Sequence, residues 1–261
     1  MIQLVDSHCH LDRLDHEKLG IDIEQVYAQA RQLGVNHMLC VSINMELWPG
    51  MMALVEKADH VYASVGVHPT EQDGHDPSVE ELIKLAAHPK VIAIGETGLD
   101  YFHCKDDLEW QRDRLRRHIA AAKATGKPLI VHSRDAQPDT LNILEEERAD
   151  TVGGVMHCFV DDWESAQRAI ALNFYISFSG IVTFKSAIEL QEVAKKVPLE
   201  WMLVETDSPY LTPMPHRGKT NQPGYTRHVA EYIAQLRGES LERVAQVTTE
   251  NFFRLFKPNV K

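Results

Sequence analysis

Gln3-Leu4-Val5-Asp6-Ser7-His8-Cys9-His10 begins as a short apolar run and ends in two histidines one residue apart. In a β-strand successive side chains alternate faces, so His8 and His10 point one way and Cys9 the other. Two imidazoles converging from one strand end make half of a transition-metal site. Two unrelated surface or core histidines are the plainer alternative, and the residues downstream decide between them.

Outward from this stretch the pattern repeats. β-type runs at residues 3–7, 37–42, 61–66, 91–95, 128–131, 154–158, 175–179 and 201–205 alternate with helical patterns at 23–33, 48–57, 78–87, 108–125, 139–147, 163–172, 187–195 and 225–236. Such alternation indicates βαβ units around a parallel sheet. Eight units within 261 residues predict an α/β fold, a closed (β/α)8 TIM barrel, which uses about 250 residues. A doubly wound open sheet is the alternative. Ser78 with Glu81 reads as a capping box, and Gly126-Lys127-Pro128 as a helix stop before a strand. Ser240 opens an extra C-terminal helix over 241–256. No Pro/Gly/Ser-rich linker divides the chain, so residues 1–261 are expected to form a single domain. The irregular stretch 208–224 holds four prolines, and long loops of this kind are usually functional.

Composition is that of a soluble globular protein, 44% apolar and 25% charged, with a formal net charge of −11. That charge argues against sequence-blind adhesion to nucleic acid or anionic lipid. It leaves room for a nucleic-acid enzyme whose positive charge is local. Cys9, Cys40, Cys104 and Cys158 form no C-x-x-C pair, so free thiols are expected and a cysteine-type zinc site is not. No secretory signal opens the chain, and no apolar run approaches the ~20 residues of a membrane span. A cytoplasmic, membrane-free, monomeric protein is the expectation.

In α/β barrels chemistry gathers where strands end and βα loops begin. Ligand-type residues stand there repeatedly: His8 and His10, His68 in Gly66-Val67-His68-Pro69, Glu96 in Gly95-Glu96-Thr97-Gly98-Leu99-Asp100, His132 in His132-Ser133-Arg134, His157 in His157-Cys158-Phe159, and Glu205 and Asp207 in Glu205-Thr206-Asp207-Ser208-Pro209. Singly, each has a structural explanation; Asp207, for example, suits an Asx-type turn. Among them, four imidazoles and two carboxylates, His8, His10, His132, His157, Glu96 and Asp207, are the inventory for two divalent metals sharing a bridging carboxylate. Glu96 is placed in the middle of the set. Asp207 could ligate one metal and take a proton from an attacking water.

The ordered set of these strings, with Arg217-Gly218-Lys219-Thr220-Asn221-Gln222-Pro223, resembles the TatD family of metal-dependent hydrolases within the amidohydrolase-type barrels. The resemblance covers nearly the whole chain. It implies a two-metal centre in which His8, His10 and Asp207 hold one ion, His132 and His157 the other, and Glu96 bridges. It also implies Mg-dependent deoxyribonuclease activity, in some members a 3′-to-5′ exonuclease. The imidazoles suit Zn or Mn better than Mg, which prefers oxygen ligands, so Mg, Mn and Zn all remain open. His68 is expected to contact substrate or leaving group, and Glu205 to orient a ligand or water from behind. A DNA or other phosphodiester substrate would be met by Arg134, Arg217 and Lys219, with rings from Tyr101-Phe102-His103 stacking on bases. A metal-dependent amide or ester hydrolase of a small molecule is the alternative, because the same hydroxide attacks carbonyl carbon. A non-enzymatic metal-binding protein is a third reading.

Overall fold

A strand in a parallel sheet is covered on both faces and must tolerate burial of every residue. The computed structural model, which describes residues 2–105 and 108–258, places such strands at β1 (Leu4–Cys9), β2 (Val35–Cys40), β3 (Val61–Val65), β4 (Val91–Asp100), β5 (Leu129–Arg134), β6 (Gly154–Met156), β7 (Phe174–Phe178) and β8 (Met202–Val204). All residues of β1, β3, β4, β6, β7 and β8 are buried. Each strand pairs in parallel with the next, in chain order. The ends meet at a parallel bridge between Cys9 and Ser208, where the Asp207 N–H donates to the His8 carbonyl at 2.9 Å and the His10 N–H to that of Ser208 at 2.8 Å. The protein is therefore a (β/α)8 TIM barrel.

The apolar side chains divide into two layers. Val5, Leu39, Tyr62, Ile92, Ile130, Val155, Tyr175 and Leu203, one from each strand, form an inner cluster with Phe252 and Phe256 of the helix Leu241–Phe256. That C-terminal helix was expected over these same residues, and it caps the barrel. Asn251 on its buried face donates to the carbonyls of Leu199 and Met202, each at 2.8 Å. The outer cluster lies between sheet and helices. The Ser78–Glu81 capping box, the left-handed Gly126 and the Ser240 cap all form as read. A short helix at His16–Leu19 was not anticipated.

Three strands run further than their apolar runs suggest. β1 continues through Cys9, β4 through Asp100 and β5 through Arg134. Glu96, expected just past a strand end, thus lies inside β4. There the register with β5 shifts between Ile94 and Thr97, a bulge that re-aims the side chain. Gly98, at φ +139°, permits this course, because a Cβ there would collide with the His132 carbonyl. Among the described residues no helix is long and apolar enough to cross a membrane.

Candidate metal centre

Side chains on the inner face of a strand recur every second residue, and in several strands this series passes from apolar to polar toward the C-terminal end. In β5 it runs Ile130, His132, Arg134. Beyond β6 it runs Val155, His157, and beyond β8 Leu203, Glu205, Asp207. In β1 the register with β2 shifts between Asp6 and Cys9. This brings His8 inward beside His10, with their Nε2 atoms 3.2 Å apart.

These groups close on Glu96, which is 2% exposed. Its Oε1 lies 2.8 Å from His157 Nε2, 3.2 Å from His132 Nδ1 and 3.3 Å from His68 Nε2. Its Oε2 lies 3.3 Å from His8 Nε2 and 4.0 Å from His10 Nε2. Asp207 Oδ1 stands 3.4 Å from His10 Nε2 and 3.7 Å from His8 Nε2. Asp207 holds a left-handed backbone, φ 56°, a conformation that costs a non-glycine residue energy and is often kept where geometry serves function.

Burial works to raise the Glu96 carboxyl, but His157, His68 and His8 around it and the hydrogen bond from His132 outweigh burial and hold it well below its ordinary value. Asp207 is likewise lowered despite burial, by the His10 hydrogen bond and the neighbouring His8. For His157 burial opposes the charge, yet Glu96 and Glu205 push its imidazole well above the usual range. The carboxylates likewise raise His10 and His132, whereas burial lowers His8 and His68.

The far ring nitrogens show which lone pairs face inward. His10 Nδ1 donates to the Val41 carbonyl at 2.9 Å, His132 Nε2 to Asp100 Oδ2 at 3.0 Å and His157 Nδ1 to Glu205 Oε1 at 3.2 Å. Each ring in its neutral form therefore presents an unprotonated nitrogen to Glu96 and Asp207, the arrangement metal-binding histidines use. Among the described residues, His8 Nδ1 and Glu205 Oε2 are buried and find no hydrogen-bond partner. His8, Glu96 and His157 offer ligand atoms close enough to share a cation, and so do His8, His10 and Asp207, so the donor set fits divalent metal.

His68 differs. Its Nδ1 accepts from the Thr70 backbone N–H at 3.2 Å, so in the neutral ring the proton sits on Nε2, facing Glu96. Proximity would admit His68 with Glu96 and His132 as a ligand group, but this tautomer makes it a donor instead. Glu205 lies behind His157, as expected, and also accepts from the Cys158 N–H at 2.7 Å.

Two contributors were missed in the sequence. Asp100, fully buried, accepts from His132, from His103 Nδ1 at 2.9 Å and from the Phe102 and His103 backbone N–H groups. Asp6 accepts from the Thr206 N–H at 2.9 Å and ties β1 to the segment after β8. Asp100 ends the glycine-rich string that carries Glu96, and its two-residue offset from Gly98 was the only available signal.

The centre floors a pocket of about 950 Å³. Arg134 lines it, stacked 4.1 Å from the Phe102 ring. Phe102 and Tyr210 line it too and are half exposed. Tyr101 does not line it; its hydroxyl donates to Asp139 at 2.7 Å. Neither Arg217 nor Lys219 lines this pocket. The Arg217 guanidinium lies 4.0 Å from the Phe184 ring, and Lys219 borders a separate cavity of about 370 Å³.

Residues 5–257 match the family model described as TatD related DNase. The metal-dependent hydrolase YcfH of Escherichia coli (strain K12) is 51% identical over 254 residues, 97% of this chain and 95% of that one. The 3′-5′ ssDNA/RNA exonuclease TatD of Escherichia fergusonii is 33% identical over 250 residues, 93% and 96% of the two chains. The crystal structure of YjjV, a TatD homologue from Escherichia coli K12, superposes with a TM-score of 0.89 at 30% identity, covering 97% of this chain and 98% of that one.

Proposed function

Because the chain belongs to the TatD related DNase family and so to the metal-dependent hydrolases, we propose that it hydrolyses nucleic-acid phosphodiesters from the 3′ end at a two-metal centre. His8, His10 and Asp207 would hold one divalent ion, His132 and His157 the other, with Glu96 shared between them. The observation that carries this reading is the convergence of His10, His132 and His157 on Glu96 with their far nitrogens already tied to Val41, Asp100 and Glu205. Divalent cations, whether Mg, Mn or Zn, supply Lewis acidity toward a phosphoryl oxygen and make hydroxide available at neutral pH.

The chain's own residues supply the rest. Asp207, kept ionised by His10 and His8, accepts the proton of the attacking water and holds that water in line. His68, with its proton on Nε2, donates to a substrate or leaving-group oxygen. Arg134 meets phosphate, and the Phe102 and Tyr210 rings offer faces on which bases stack. Arg217 and Lys219 lie outside this pocket, on loop 208–224, and would meet only a substrate that extends beyond it.

The test is 3′-labelled single-stranded DNA incubated with each of Mg²⁺, Mn²⁺ and Zn²⁺. Cleavage from the 3′ end that falls about 10²–10⁴-fold in Asp207→Asn supports the reading, the range expected for losing a general base. The second reading, amide or ester hydrolysis of a small molecule, is favoured by the net charge of −11 and by Glu71 and Asp135 on the pocket wall. No cleavage above the Asp207→Asn level, together with turnover of an amide and lactone panel, would establish it instead.

A further inference from the structure

Outside the pocket, a second pair of imidazoles repeats the spacing of the first, with ring planes at 48° in place of 79°. His216, in the long loop after β8, and His228, in the helix Thr226–Arg237, bring their Nε2 atoms to 3.1 Å with ring centroids 4.9 Å apart. The corresponding values for His8 and His10 are 3.2 Å and 5.0 Å. His228 Nδ1 donates to Glu231 Oε2 at 3.2 Å, as His10 Nδ1 donates to a carbonyl, so His228 Nε2 keeps its lone pair toward His216. His216 is stacked on the Tyr225 ring at 4.4 Å and 7°, which fixes its plane. Neither histidine lines the pocket of the metal centre.

We propose that His216 and His228 form a second, separate site for a borderline divalent cation of the zinc, nickel or copper class. Two imidazole nitrogens each about 2.0–2.1 Å from a tetrahedral ion lie about 3.3 Å apart, close to the spacing already present. Imidazole ligands select these metals over magnesium or calcium. Glu231 behind His228 supplies the carboxylate–histidine pairing that sets the tautomer, and Arg227 holds Glu231 in place at 2.6 Å. Burial, His228 and Lys219 all lower the His216 imidazole, which keeps it neutral at pH 7, the form a cation requires. Water completes the coordination. Such an ion would fasten loop 208–224 to the helix that follows. The same loop carries Tyr210 and Leu211 on the pocket wall, so occupancy braces that wall from behind.

The test is zinc uptake by full-length protein stripped with chelator, measured by equilibrium dialysis with metal analysis. Wild type is expected to bind one equivalent more than His216→Ala or His228→Gln, and both variants to keep the equivalents belonging to the centre. Glu231→Gln should weaken only the extra equivalent, about 10–100-fold. In His8→Ala the difference of one equivalent produced by adding His228→Gln should persist. Far-UV circular dichroism of the stripped proteins checks that each variant is folded. Equal stoichiometry in wild type, His216→Ala and His228→Gln would reduce the pair to a hydrogen bond. Loss of the extra equivalent in His8→Ala would assign it to the centre.

Discussion

A carboxylate sealed from water stays ionised only where protons or cations compensate it, and Glu96 has four imidazoles within 3.3 Å. Its two oxygens divide the ring of groups, Oε1 toward His132 and His157, Oε2 toward His8 and His10. Removing a shared ligand should therefore empty both halves together. Combined with His228→Gln, which removes the separate imidazole pair, Glu96→Ala is expected to retain neither metal equivalent of the centre after reconstitution, as read by metal analysis of the dialysed protein; retention of one would show that Glu96 serves only one ion. The histidines of this set were legible in the sequence because each is a rare, chemically marked residue just beyond an apolar run. Asp100 was not, because its partner His132 is thirty-two positions away and nothing in one sequence announces that pairing. The donor role of His68 was hidden for the same reason: it depends on the Thr70 N–H, a backbone group that no residue type signals.

At the scale of elements, helix bounds follow from the sequence nearly to the residue, whereas strand bounds miss in both directions: β1, β4 and β5 run past their apolar runs, and β6 and β8 stop short of Cys158 and Glu205. Amphipathic periodicity and capping residues mark helices, as Ser78, Gly126 and Ser240 do. The polar ends of β1, β4 and β5 look like loop because they trade apolar side chains for site residues, although each remains hydrogen-bonded to its neighbour. The helix Glu109–Thr125 carries a different hidden feature. Its His118 is fully buried, accepts from the Val67 N–H at 3.1 Å and bonds the Arg114 carbonyl at 2.9 Å. Burial chiefly depresses this imidazole, to about 4. As pH falls from the unfolded-state value near 6.5 toward about 4, the unfolded chain takes up the proton first, so stability is lost over that window at up to about 1.4 kcal/mol per pH unit. His118→Gln, which keeps an acceptor for Val67, should show a shallower loss in urea denaturation between pH 7 and 4.5. Parallel pH curves for the two proteins would contradict this assignment.

For the molecule as a whole, the eightfold alternation of strand and helix made the barrel legible, because no local misplacement of a boundary changes the count. The bridge between Cys9 and Ser208 was not legible, since it joins the ends of the sheet across nearly the whole sequence. The same closure brings His8 and His10 to Asp207, so folding and assembly of the metal centre are coupled. A cation that binds only the folded barrel adds about 2.7 kcal/mol at a free concentration of about 100 times Kd. Chelation should accordingly lower the unfolding midpoint of wild type in a single transition of residues 1–261, and should leave the double variant Glu96→Ala/His228→Gln unmoved. A second transition insensitive to metal would divide the chain into separate units.

The helix Leu241–Phe256 gives the barrel a floor. With Phe252 and Phe256 packed under the inner cluster, the pocket is a blind well with its reactive groups at the bottom and one mouth for all traffic. A polymer cannot be threaded through such a vessel; it can only dip a terminus or a bulged segment into it. On the proposed exonuclease reading, whatever is cut off would leave by the way it came before the next unit descends. Turnover on long substrates would then be paced by this exchange at the rim, where Phe102 and Tyr210 stand, as much as by the bond broken below.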